Sequence, residues 1–117
     1  MPKKVEFFIP APSCACSGAA FLRDQEKLSR MLALMEEVEE RFPGVELVRH
    51  DMVDESAYSD NLKVLARYLR EAGEEDFASR VAFSLKFVLP AVAVDGKLVA
   101  YGKVPGVDEV AAAMSAA

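Results

Sequence analysis

The sequence predicts an α/β fold: a mixed four-stranded sheet with helices on both faces, in the order β-α-β-α-(α)-β-β-α. Three observations predict it. A strand-like run near the start is followed by a long amphipathic helix pattern and a second strand-like run, so the first two strands are parallel with a right-handed crossover. Two later strand-like runs are separated only by Asp95-Gly96, the strongest short hairpin signal in the chain, so the last two strands are antiparallel neighbours. Between and after these pairs the apolar residues recur with helical spacing.

The elements follow in order. Residues 4–9 are β-branched and aromatic and read as a strand. Pro10-Ala11-Pro12-Ser13-Cys14-Ala15-Cys16-Ser17-Gly18 is an irregular loop by its prolines and small residues. A helix is expected over 19–42, with Phe21, Leu28, Met31, Met35, Val38 and Phe42 on one face, and Pro43-Gly44 ending it. Residues 45–50 read as the second strand. A second helix is expected over 56–72, with Tyr58, Leu62, Leu65, Leu69 and Ala72 aligned and Gly73 as its C-cap. Glu74-Glu75-Asp76 suits the positive end of a short helix over 75–85, with Phe77 and Val81 turned inward. Residues 89–94 and 97–101 read as the hairpin strands, and Gly102 ends the second of them. Pro105 fits the first turn of a last helix, with Val107, Val110, Ala111 and Met114 on one side.

Composition narrows the function classes. The 117 residues suit one domain spanning 1–117, and 52% hydrophobic with 28% charged residues is a globular balance. The net charge of −5, without a basic stripe, is a poor match to nucleic acid or anionic membrane, so neither is expected as a partner. The first apolar run is interrupted by Glu6 and stopped by Pro10, too short for a secretory leader. Nothing approaches the ~20 apolar residues of a membrane span. The expected compartment is the cytoplasm, where a close cysteine pair is redox-active or metal-binding rather than structural.

The two cysteines, Cys14 and Cys16, fall where the first strand hands over to the first helix. Open α/β sheets place their chemistry at the carboxyl ends of such strands. A helix N-terminus carries unpaired N–H groups and a partial positive charge, both of which favour a thiolate. The thiolate is the reactive species for disulfide exchange and for metal binding alike. His50, at the end of the second strand, reads as a structural or surface histidine, with Asp51 as a neighbouring partner. Glu36, Glu37, Glu39 and Glu40 read as a solvated helix face, and Met31 with Met35 as core.

The cysteine pair at the mouth of the first helix, and Leu89-Pro90-Ala91-Val92-Ala93-Val94-Asp95-Gly96 followed by Val99, Gly102 and an acidic helix around Glu109, resemble the thioredoxin-like superfamily. The interval from Pro90 to Asp95-Gly96 is glutaredoxin-like. The resemblance implies a thioredoxin-like sheet and a cis peptide bond before Pro90, packed against the cysteine loop. Dithiol members of that superfamily have two residues between their cysteines; this chain has one, and Ser13 stands where tryptophan is common. A narrower likeness joins Glu6-Phe7-Phe8-Ile9-Pro10-Ala11, the cysteines and the Pro90 to Gly96 run to the arsenic metallochaperone family (ArsD). That family carries adjacent cysteines and a third a few residues on, and this chain has no third.

Two functions follow as expectations. The first is thiol–disulfide oxidoreductase chemistry on a protein thiol or disulfide partner, with Cys14 attacking, Cys16 resolving and Pro90 beside them. The one-residue gap closes a small ring, and strain there makes the pair more oxidising. The second is non-catalytic capture of a soft ion at Cys14 and Cys16: As(III), Cu(I), or Zn in a site shared across a homodimer. No further cofactor is expected.

Overall fold

The computed structural model describes residues 3–10, 19–52 and 56–116. The elements are β1 (Lys4–Ile9), α1 (Ala19–Arg41), β2 (Glu46–Asp51), α2 (Tyr58–Glu71), α3 (Glu75–Ser79), α4 (Val81–Val88), β3 (Ala91–Val94), β4 (Lys97–Tyr101) and α5 (Val107–Ala116). The sheet order is β2-β1-β3-β4. β1 runs parallel to β2 and antiparallel to β3, and β3 runs antiparallel to β4. This is the expected mixed sheet, and its arrangement agrees with a thioredoxin-like fold.

The alternation of side chains along β1 builds the two layers. Val5, Phe7 and Ile9 face one side, where Met31, Leu34 and Val38 of α1 and Val110 of α5 cover them. Phe8 faces the other, against Leu65, Tyr68 and Leu69 of α2 and Val88 of α4. All five residues from Val5 to Ile9 are buried, as a central strand covered on both faces requires. Met31 and Val38 are core as the helical spacing predicts, while Leu28, Met35 and Phe42 pack at its margin. The side chain of Phe21 lies outside the described residues.

Several details differ from expectation. Ala72 is exposed, because it is the C-cap of α2 and lies past the last turn that meets the sheet. The helix expected over 75–85 is two helices, broken at Arg80 (φ −125, ψ 41). α4 ends at Val88 because Leu89 precedes a proline and is extended (φ −99, ψ 146). β3 begins at Ala91 rather than residue 89. Leu89 donates its N–H to Leu85 at 2.9 Å, and Pro90 has none to give. Pro105 lies two residues ahead of α5 rather than within its first turn.

The hairpin forms at Asp95-Gly96, where both residues have positive φ (48 and 83). That is the geometry whose twist matches the flanking strands. Asp95 also ties the turn to β1: its carboxylate accepts from the Lys4 N–H at 2.9 Å. No helix among the described residues is long and apolar enough to cross a membrane.

Candidate functional site

β1 ends at Ile9 and α1 begins at Ala19, so the connection between them starts and finishes at one end of the sheet. Cys14 and Cys16 belong to this connection and lie outside the described residues. The structure describes the residues that flank it, Pro10 and Ala19.

Pro90 follows a cis peptide bond and is fully buried. The antiparallel register pairs Phe8 with Ala91. Carried one residue further, it sets Pro90 opposite Ile9, where β1 approaches the cysteine connection. Pro10 and Pro90 line one cavity of about 480 Å³, together with Lys27, Met52, Tyr58, Leu85, Lys86 and Leu89. The wall is largely apolar, with two ammonium groups and a phenol on it. The last described residue before the cysteines and the cis proline thus share a concave surface of the size small-ligand sites have.

The Pro90 segment is held by backbone bonds. The Gly102 N–H reaches the carbonyls of Val88 and Pro90, each at 2.9 Å. Beside the cavity, α4 presents Phe83 and Phe87 to solvent, 84% and 59% exposed, and Lys86 lies over the Phe87 ring.

A second cluster, buried under α2, escaped the sequence reading. Glu6 interrupts an apolar strand, and its side chain is buried rather than solvated. It accepts from the Tyr68 hydroxyl and lies 2.7 Å from His50 Nε2. The His50 ring stacks on Phe8 with centroids 4.6 Å apart, and its Nδ1 is 3.0 Å from Asn61 Oδ1. His50 is structural, as expected, but its partner is not Asp51. The Asp51 carboxylate turns to Arg49 at 2.7 Å, because neighbours on a strand point to opposite faces. The signal was present: a carboxylate in a strand buried on both sides needs partners.

Tyr68 loses its proton above its ordinary value of 10.0, first because it is buried and then because Glu6 accepts its hydrogen bond and repels the phenolate. The unfolded chain gives up this proton near pH 10 and the folded chain holds it longer. The stabilisation is therefore complete below about pH 10 and is lost as pH rises through the folded value. Tyr68→Phe is expected to cost about 1–3 kcal/mol at neutral pH, since it strips a donor from buried Glu6. In urea titrations from pH 8 to 11.5 its stability should fall less steeply than that of the wild type.

Among the described residues no three His, Cys, Asp or Glu side chains are grouped to hold a metal ion. No family model matches the chain, and no curated protein sequence does. One solved structure that it resembles is the arsenical resistance operon trans-acting repressor from Bacteroides vulgatus ATCC 8482. The two are 22% identical with a TM-score of 0.53, over 96% of this chain and 92% of that one. At that identity the likeness shows a shared fold over nearly the whole length of both chains.

Proposed function

We propose that this chain is a dithiol module of thioredoxin-like fold whose Cys14 and Cys16 capture a soft, thiol-seeking ion, trivalent arsenic foremost. The observation that carries the reading is the full-length likeness to a repressor of arsenical resistance, joined to a chain whose only cysteines sit together between β1 and α1. The resemblance of Glu6-Phe7-Phe8-Ile9-Pro10-Ala11 and of the Pro90 to Gly96 run to the arsenic metallochaperone family supports it. Arsenous acid exchanges two hydroxyls for two thiols: two As–S bonds form, two As–O bonds break, and two waters leave with the thiol protons. With no third cysteine, the remaining arsenic ligand is a hydroxyl or an external thiol. Capture needs both thiols reduced, which fits a cytoplasmic setting.

A second reading is thiol–disulfide exchange, and the position of Pro90 favours it. In that reaction Cys14 thiolate attacks a partner disulfide and releases one partner thiolate. Cys16 then attacks the mixed disulfide, releases the second, and leaves the Cys14–Cys16 disulfide.

One experiment separates them. Reduced, metal-free protein is titrated with arsenite, Cu(I) and Zn(II) and weighed by native mass spectrometry; the same sample is assayed for reduction of a model disulfide. One arsenic per chain without disulfide turnover supports capture. Turnover without an arsenic adduct replaces it with exchange.

A further inference from the structure

The buried cluster assigns hydrogens as well as contacts. Asn61 Nδ2 donates to the Asp51 carbonyl at 3.2 Å, so the atom Asn61 turns to His50 is its oxygen. An oxygen there accepts, and the facing ring nitrogen, Nδ1, must carry a proton. Nε2 faces Glu6 Oε2 at 2.7 Å. Glu6 Oε1 accepts a hydrogen bond from the Tyr68 hydroxyl and stands 3.7 Å from Lys4 Nζ. Nε2 thus faces a carboxylate oxygen, an acceptor, whose companion oxygen already holds the Tyr68 hydroxyl. The Glu6 side chain is 3% exposed and that of His50 14%, so water competes weakly for these bonds.

The clamp has a consequence at the cavity. His50, Asp51 and Met52 are consecutive, and Asn61 lies on the first turn of α2 with Tyr58. The run His50–Asn61–Asp51 ties the end of β2 to the start of α2. Met52 and Tyr58 are the residues these two ends give to the cavity, whose other side holds Pro10 and Pro90.

We propose that His50 is a resident imidazolium, donating through one ring nitrogen to Glu6 and through the other to Asn61, and that it is a positioning residue for the Met52–Tyr58 wall of the cavity that Pro10 and Pro90 line. Its effect on ion capture rests on the dithiol reading; its effect on the wall does not.

The chain has one histidine, so its ring nitrogen–proton correlations in the NMR spectrum need no assignment. At neutral pH, in reduced metal-free protein, both ring nitrogens are expected to bear protons. In Glu6→Gln, Nε2 is expected to lose its proton while Nδ1 keeps its own. His50→Gln reaches only one of the two partners, and the Met52 methyl and Tyr58 ring signals should shift in it. Asn61→Ala cuts the same tie from α2, should shift the same signals, and serves if His50→Gln does not fold. A bare ring nitrogen in the wild type overturns the imidazolium. Unmoved Met52 and Tyr58 signals in either folded variant overturn the positioning role.

Arsenite affinity adds a readout that a purely structural contact would not move. It should fall about tenfold in folded His50→Gln with both cysteines intact, as for other groups that orient a site without binding the ion. Equal affinity in wild type and variant overturns the role in capture. A wild type that takes up no arsenite overturns the dithiol reading alone, because the ring and methyl spectra are read without the ion.

Discussion

Serine at both Cys14 and Cys16 is expected to abolish arsenite capture while leaving the melting transition in place. Soft ions select thiolate over hydroxyl, so two serines offer hard, protonated oxygens where the ion needs deprotonated sulfur. Removing a ligand outright should exceed the roughly 10–100-fold cost of losing an orienting neighbour. The described core clusters are built from β1, the helices and β3, and the melting transition of the variant checks the fold. Single serine variants sharpen the result. Each should retain at most a weak one-sulfur complex, and neither should add an arsenic that survives native mass spectrometry. A stable adduct in the double variant would place the ion elsewhere. Equal affinity in a single variant and the wild type would refute the paired role.

Gly102→Ala is the substitution expected to damage the described part of the site most. Gly102 has φ +76, where a side chain costs about 1–2 kcal/mol by itself. A Cβ there would also run into the carbonyl oxygen of Phe87, which is backbone at the end of α4 and cannot turn aside. Overpacking of this kind adds about 1–3 kcal/mol. The same residue gives its N–H to the carbonyls of Val88 and Pro90. Moving it therefore shifts the segment that carries Pro90 to the cavity. A urea titration should show the loss of stability. The ring signals of Pro90 and Phe87 should move with it, and an alanine variant as stable as the wild type would contradict the crowding.

How this architecture was readable depended on the scale of the signal. β1 and the hairpin were plain in sequence, because strand composition and a two-residue turn are local properties. α1 was as plain, because its 3.6-residue spacing repeats over many turns. The break at Arg80 was not, because nothing in Ser79-Arg80-Val81 carries a glycine or proline; packing of α3 and α4 against α2 decides it. β3 starts two residues later than its apolar run suggests, because the Leu89 N–H goes to the Leu85 carbonyl and Pro90 has none to give.

The candidate site divides in the same way. Cys14, Cys16 and Pro90 were found from residue type and position, and the cis bond at Pro90 bears out what the family likeness implied. The two cysteines lie outside the described residues, and their chemistry is the subject of the proposal above. Lys27, Met52, Tyr58 and Lys86 were not legible as one surface, because they come from four parts of the chain and meet only when the sheet is assembled.

The sequence by itself determined the order of the strands and of the longer helices, the hairpin and the one stretch that carries thiols. These follow from local conformational preference and from periodicity, which are written along the chain. Only the tertiary structure decided which partners the buried polar groups find. Glu6, His50, Asn61 and Tyr68 are separated by up to 62 residues, and a buried carboxylate selects its donors from whatever the fold brings within about 3 Å.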